Sequence, residues 1–250
     1  MADFGSQPPP QPSQHVEDAA SLASRPFAAR FVEAHQLVLV SGQPPLELSQ
    51  RPPALEDDDG GGGDDPLDTG GTVWRGGARL ARALADDAAL RTLIAGRRVL
   101  ELGAGTGVGG LACAALGARS VVLTDLPRNV ELLRANAFRN RGHTLGCDVA
   151  AVPLAWGDRH GALAAAAAGV DVVLAADVCY REDAVEPLAA TIGVLMAHAE
   201  TLVLACERHE PVAYAALLRA LGEALAGGDV RASEDGGRFE IRVYSRRRAA

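Results

Sequence analysis

Apolar and polar positions alternate between two rhythms from residue 98 to residue 245. Short apolar runs at residues 99–102, 121–124, 171–176 and 201–206 are nearly continuous and read as strands buried on both faces. Between them, residues 108–116, 127–140, 163–168, 183–196 and 211–225 form segments of helical character. In the second of these, Val130, Leu133 and Ala137 share a face and Pro127 sits in the first turn. A third strand covers residues 148–154, and residues 230–233 with 239–245 close the series as an antiparallel pair. Upstream, a helix follows Trp74 with Leu80 and Leu84 at i, i+4. Two short strands within residues 30–48 meet at the turn Ser41-Gly42-Gln43-Pro44. Strands alternating with helices predict an open, mostly parallel α/β sheet, whose ligand lies outside the carboxyl ends of the strands.

Composition then bounds the picture. At 250 residues the chain has room for one α/β domain with a sizeable core, and 48% apolar residues fit a globular protein. No run of about 18 uninterrupted apolar residues is present to span a membrane. The first residues lack the basic-then-apolar pattern of a secretory signal. The expectation is a cytoplasmic protein, with the nucleus as the alternative, and no membrane partner. A net charge of -8 argues against nucleic acid as a partner. All the basic side chains are arginine and none is lysine. Cys113, Cys147, Cys179 and Cys206 form no C-x-x-C pair, which predicts free thiols and no metal site.

Residues 1–25, rich in Pro, Gln and Ser, read as a disordered tail. Its Pro8-Pro9-Pro10 tract is either solvated or a ligand for a proline-binding domain. Residues 26–55 hold the hairpin, and residues 56–68 form an acidic, glycine-rich insertion without the spacing of a calcium loop. Residues 69–245 form the main domain and residues 246–250 a basic tail.

Chemistry concentrates at residues 98–125, R-V-L-E-L-G-A-G-T-G-V-G-G-L-A-C-A-A-L-G-A-R-S-V-V-L-T-D, which reads as one strand–turn–helix–strand unit ending on an acid. Gly103, Gly105 and Gly107 let the backbone turn sharply and admit a ligand against it. Asp125, at the tip of the second strand, suits the hydroxyls of a ribose. A dinucleotide fingerprint spaces its glycines G-x-G-x-x-G so that a diphosphate sits on the helix N-terminus. Here the spacing is G-x-G-x-G, and Glu101 stands just before the loop. A carboxylate there repels a diphosphate and can accept from an α-ammonium group, which favours S-adenosylmethionine over NAD.

Trp156, in L-A-W-G-D, and Asp177, in A-D-V-C-Y, fall at strand ends as well. Each has a plainer alternative: Trp156 covers the sheet edge, and Asp177 caps the following helix. Tyr180 is either packing or a substrate contact, and Trp74 either core or the lip of the site. Glu207, Arg208 and His209 follow the fifth strand and are lesser candidates for a substrate contact, the alternative being that they touch none.

V-L-E-L-G-A-G-T-G with L-T-D, then L-x-W-G-D and A-D-V-C-Y, preceded by T-G-x-x-V-W, resembles the seven-β-strand methyltransferases. More narrowly it is similar to the methyltransferase-like protein-lysine methyltransferases whose fourth strand ends in D-x-x-Y. The resemblance covers residues 30–245 and implies the strand order 3-2-1-4-5-7-6, with strand 7 antiparallel. It further implies S-adenosylmethionine-dependent methylation of a lysine in an intracellular protein, chaperones or translation factors being targets of the family, by a monomer. On this resemblance Gly103, Ala104 and Gly105 meet the methionine part of the cofactor, within the loop that Glu101 and Gly107 bracket. Asp125 meets the ribose, Trp156 lies beside the adenine, Trp74 lies near the cofactor's other side, and Ala176 lines the pocket. Asp177 and Tyr180 face the substrate amine. A nicotinamide-type small-amine methyltransferase and a non-catalytic cofactor-binding scaffold would use the same cofactor site and stay open. Deprotonating a lysine of pKa near 10.4 at pH 7 costs about 4.6 kcal/mol. Two cations about 4 Å apart at an effective dielectric near 20 repel by roughly 4 kcal/mol. A sulfonium beside the ammonium thus supplies most of the push, which leaves an acid such as Asp177 to attract and orient the amine.

Overall fold

The computed structural model describes residues 34–41, 43–51, 69–144 and 146–247. The tail expected at residues 1–25, the insertion at 56–68 and the end of the basic tail lie outside them. Strands β1 (Ala34–Leu37) and β2 (Leu46–Ser49) pair antiparallel as the expected hairpin. Helices α1 (Arg75–Asp86) and α2 (Ala88–Ile94) follow. The chain then runs β3 (Arg98–Leu102), α3 (Val108–Ala115), β4 (Ser120–Asp125), α4 (Pro127–Arg139), β5 (Asp148–Pro153) and α5 (Arg159–Ala167). It finishes with β6 (Val172–Ala176), α6 (Val185–Met196), β7 (Thr201–Glu207), α7 (Pro211–Ala224), β8 (Ala226–Glu234) and β9 (Phe239–Ser245).

The main sheet has the order β5-β4-β3-β6-β7-β9-β8. Strands β3 to β7 pair parallel, and β9 lies antiparallel between β7 and β8. This is the 3-2-1-4-5-7-6 arrangement that the resemblance implies. Some bounds differ from the expectation for local reasons. The Asp87 side chain accepts from the Ala89 and Leu90 N–H groups and so starts α2 as a separate helix. Asp158 accepts from Gly161 N–H and starts α5 ahead of the alanine run. Strand β8 is longer than the apolar pattern suggested, because an exposed edge strand pairs through its backbone and needs no apolar side chains.

Successive residues of β3 point to opposite faces of the sheet. Val99 joins a core with Leu80, Leu84, Ile94, Leu111 and the hairpin residues Leu37, Leu46 and Leu48. Leu100 and Leu102 join a second core with Leu188, Ile192, Leu217 and Leu221. Full burial of one such leucine stabilises by about 1.5–3 kcal/mol relative to exposure, so the hairpin is an integral part of the first core.

Helix α4 turns the expected face inward: Val130 and Leu133 are buried and the half-buried Ala137 packs against the same core, while Asn129, Asn136 and Asn140 fill an adjoining buried face that the apolar spacing did not show. Asn140 accepts from Glu47 N–H at 2.8 Å and donates to the Glu47 carbonyl at 2.7 Å. Asn136 accepts from Ser49 N–H at 2.8 Å and donates to the Ser49 carbonyl at 3.1 Å. The outward backbone groups of β2 are thereby satisfied by side-chain amides. The four cysteines are free thiols, with Cys113, Cys179 and Cys206 buried and Cys147 half-buried. No helix among the described residues is long and apolar enough to cross a membrane.

Candidate cofactor and substrate site

The carboxyl ends of β3, β4, β6 and β7 converge, and each carries an expected residue. The loop after β3 folds back on β4, Ala104 N–H donating to the Thr124 carbonyl at 2.9 Å. Gly103 and Gly105 have φ of +61° and +57°, a region that side chains with a Cβ occupy at a penalty of about 1–2 kcal/mol. A Cβ at Gly103 would also stand 2.9 Å from Trp156 Cζ2, and one at Gly105 3.1 Å from the Gly70 carbonyl. The loop floor is therefore bare backbone, with Trp156 beside it and the Thr69–Gly71 turn across it. Gly107 faces the other way, towards Leu133 and Leu123, and Ala104 is buried.

Glu101 lies on the same face of β3 as Val99, beneath α3. It is 2% exposed and its Oε2 accepts from Gly110 N–H at 2.8 Å. A Cβ at Gly109 would come within 2.3 Å of its Oε1, so the glycines of V-G-G make the space the acid fills. Burial above all pushes the Glu101 carboxyl up to about 8; the Gly110 N–H opposes the rise and Asp125 adds to it. This position differs from the expected α-ammonium contact, since the carboxylate faces the helix backbone from below. The same fact speaks against a diphosphate. The N-terminal turn of α3, where one would bind, already has an N–H committed to an acid.

Asp125 closes β4 and is 8% exposed. Its Oδ2 accepts from Gly105 N–H at 2.7 Å, and its Oδ1 from Leu126 N–H at 2.7 Å and Asn129 Nδ2 at 2.8 Å. A carboxylate has about four acceptor positions, so capacity for a hydroxyl is left on Oδ2.

Asp177 follows β6 with φ of +52°, its own N–H donating to the Ala205 carbonyl. Its Oδ2 accepts from Gly76 N–H at 2.6 Å and its Oδ1 from Glu207 N–H at 2.9 Å. It does not cap the following helix, whose N-cap position is Ala184. It reaches instead to the first turn of α1, across the fold. A Cβ at Gly76 would stand 2.1 Å from Asp177 Oδ1, so the glycine after Arg75 is what lets the acid approach. Burial pushes the Asp177 carboxyl up to about 6, against the two backbone donors. Val178, the next residue, lies against Gly103, which joins the acid to the glycine loop.

Around this centre, Tyr180 is half-buried with its ring 6.2 Å from that of Trp156. The Trp74 indole donates to the Thr69 carbonyl at 2.8 Å and meets His209 edge-on at 6.5 Å. Ala176 is half-buried at the end of β6. Glu207 ends β7 and pairs with Arg75 and Arg79 at 3.2 Å each and with His209 Nε2 at 3.1 Å. Burial works to raise the Glu207 carboxyl, but the His209 hydrogen bond and the two arginines outweigh it and hold it below its ordinary value. Arg79 also reaches Glu234 and Asp235 at the tip of the β8–β9 hairpin. The structure thus brings together Gly103, Gly105, Asp125, Trp156, Asp177 and Tyr180, with Trp74 at one margin. Glu101, Ala104 and Gly107 sit behind the loop. Unforeseen were Gly76 and Asn129, for which the sequence offers only the unusual glycine pair in W-R-G-G and an asparagine one helical turn after Asp125; the Thr69–Gly71 turn was visible as the start of T-G-x-x-V-W, though not its place across the glycine loop.

These features fit S-adenosylmethionine: a backbone-lined floor, an acid with room for a hydroxyl, indole rings nearby and no diphosphate seat. The comparisons agree. The chain is 35% identical over 111 residues to protein N-lysine methyltransferase METTL21A of Danio rerio, covering 44% of this chain and 50% of that protein. It is 37% identical over 114 residues to EEF1A lysine methyltransferase 3 of Mus musculus, covering 44% of this chain and 45% of that protein. The chain spans about half the length of these curated relatives. Among solved structures, TrmN of Thermus thermophilus shares the fold, with a TM-score of 0.50 and 22% identity over 68% of this chain and 49% of that one. A family model described as lysine methyltransferase matches residues 63–218, well over half the chain. The chain belongs to this lysine methyltransferase family, and its cofactor is S-adenosylmethionine.

Proposed function

We propose that the protein is a protein-lysine N-methyltransferase in which Asp177 receives the substrate amine. The observation that carries this reading is the Asp177 carboxylate, fixed by Gly76 N–H and Glu207 N–H where β6 and β7 end beside the glycine loop. The names of the relatives support a protein lysine as substrate, and that of the mouse relative points to a translation factor. We extend the same substrate class to this chain, with chaperones as the other candidates.

Bound S-adenosylmethionine supplies an electrophilic methyl group on a cationic sulfur. The chain's own residues have narrower tasks. Asp177 attracts the ammonium and aims it; because a carboxylate stabilises the charged amine, it contributes direction rather than deprotonation, and the proton leaves to water. Its two backbone donors leave the carboxylate few orientations, so the amine it holds has few as well. Tyr180 and Trp156 form an aromatic wall next to that position. In-line positioning of this kind accounts for most of the acceleration.

Incubation of the purified protein with methyl-labelled S-adenosylmethionine and cell lysate tests the reading. Label in a protein band, lost in Asp177→Asn while S-adenosylhomocysteine still binds, is the expected result. Label in the small-molecule fraction would indicate a nicotinamide-type enzyme, and binding without transfer a scaffold. The chain contains no lysine, so label on its own band is not lysine methylation.

A further inference from the structure

We propose that Arg51 is a positioning residue for the cofactor site, acting from the hairpin through Asn129 on the ribose acid Asp125. The inference rests on S-adenosylmethionine as cofactor and on Asp125 as its ribose contact, not on which amine is methylated. Arg51 follows β2. Its Nη2 donates to Asn129 Oδ1 at 2.7 Å, its Nη1 to the Arg128 carbonyl at 3.0 Å, and its backbone N–H to the Gly71 carbonyl at 2.7 Å. Asn129 is 2% exposed and donates Nδ2 to Asp125 Oδ1 at 2.8 Å.

A guanidinium only donates and a carboxylate only accepts. Between them the Asn129 amide has one favourable orientation, oxygen to Arg51 and nitrogen to Asp125; flipping it sets donor against donor and acceptor against acceptor. Oδ1 of Asp125, held by Asn129 and by Leu126 N–H, is thus the gripped oxygen. Oδ2, which among the described residues takes only Gly105 N–H, is the one with capacity for a hydroxyl. The grip on Oδ1 sets the direction of Oδ2. Gly70 closes the arrangement, since a Cβ there would come within 2.1 Å of Asn129 Nδ2. Docking of the hairpin has further anchors in Asn136 and Asn140, which hold β2 to α4 through bonds that do not involve Arg51.

The test is calorimetric titration with S-adenosylhomocysteine and with its 2′,3′-dideoxyribose analogue. The proteins are the wild type, Asp125→Ala, Arg51→Ala, Arg51→Lys, Asn129→Ala, the Arg51→Ala/Asn129→Ala double variant, and Asn140→Ala as a hairpin control. S-adenosylhomocysteine should bind about tenfold more weakly to Arg51→Ala and to Asn129→Ala, a change of about 1.4 kcal/mol. The double variant should lose no more than either single one, as members of one relay do. Arg51→Lys, which keeps one donor, should recover most of the affinity, and the dideoxy analogue should bind Arg51→Ala as it binds the wild type. Asn140→Ala should lower the unfolding midpoint without separating the two ligands. Wild-type affinity in Arg51→Ala, multiplying losses in the double variant, or an equal loss for the analogue overturns the proposal. A wild type that binds neither ligand overturns the cofactor assignment, and an Asp125→Ala that binds both as before overturns the ribose assignment. Either removes the relay too, by an outcome distinct from failure at Arg51 alone.

Discussion

Replacing Glu101 by glutamine separates the two roles open to that acid. The side chain is 2% exposed and rests on one backbone N–H, so desolvation dominates and its carboxyl rises from 4.5 to about 8. Between those values the folded chain holds a proton that the unfolded chain releases. Stability therefore falls as pH rises through this window, by up to about 1.4 kcal/mol per pH unit. From pH 5.5 to pH 7.5 the wild type should lose roughly 2–3 kcal/mol on this account, or about 5–10 °C of melting temperature for a domain of this size. Glutamine keeps the shape and the acceptor for Gly110 N–H but cannot ionise, so Glu101→Gln should show a flatter profile. Asp177, also raised, contributes a fall of the same sign in both proteins and cancels from the difference. Urea unfolding at half-unit pH steps and constant ionic strength measures the two profiles. Parallel profiles would refute the buried-acid account. A loss of about tenfold or more in S-adenosylhomocysteine affinity would place the cofactor's ammonium on Glu101 after all.

Other outcomes are equally specific. Asn140→Ala leaves Glu47 N–H and its carbonyl without their side-chain partner, and at about 1–3 kcal/mol per orphaned group it should lower unfolding stability by about 2–6 kcal/mol in urea titration. Asn140→Asp, which accepts but cannot donate, should lie between the two. Gly103→Ala drives a Cβ to 2.9 Å from the Trp156 ring at φ +61°, so it should weaken S-adenosylhomocysteine by about tenfold or more in calorimetry while circular dichroism stays native. Protonation of the substrate amine lowers kcat/KM for a lysine peptide as pH falls in every variant, and because burial lifts the Asp177 carboxyl to about 6, the wild type should steepen below about pH 6 by up to a further tenfold per unit. Asp177→Asn should be slow and keep only the slope of the amine, without the break near pH 6.

The parallel strands were legible because strands buried on both faces are apolar almost throughout, and the glycine loop because no other residue type serves a bare backbone at positive φ. The end of β6 was legible as an acid at a strand end, but the direction of its side chain was not. The partners of Asp177 are backbone N–H groups 101 and 30 residues away, which no local pattern encodes. Glu101 was visible as an acid before the loop, yet its burial depends on the missing side chains of Gly109 and Gly110, whose purpose shows only once α3 is laid over β3. Helix α4 was legible only in part. Hydrophobic spacing placed Val130, Leu133 and Ala137 against the core, as they are, but not the buried asparagines beside them, whose amides have backbone to bind. Polar residues on a buried face are silent in an apolar pattern.

Those asparagines turn a helix into a ruler. Asn136 and Asn140 stand one turn apart, about 6 Å along the axis, and Glu47 and Ser49 stand two strand residues apart, about 6.8 Å. The near-coincidence of the two repeats lets α4 measure off β2 and fixes which backbone edge of the strand faces the helix. Sliding β2 by a single residue would miss them both and at the same time turn Leu46 and Leu48 out of the core. The helix that begins beside Asp125 thus also holds the hairpin in place, so one element serves both the mouth of the glycine loop and the strand pair packed beside it.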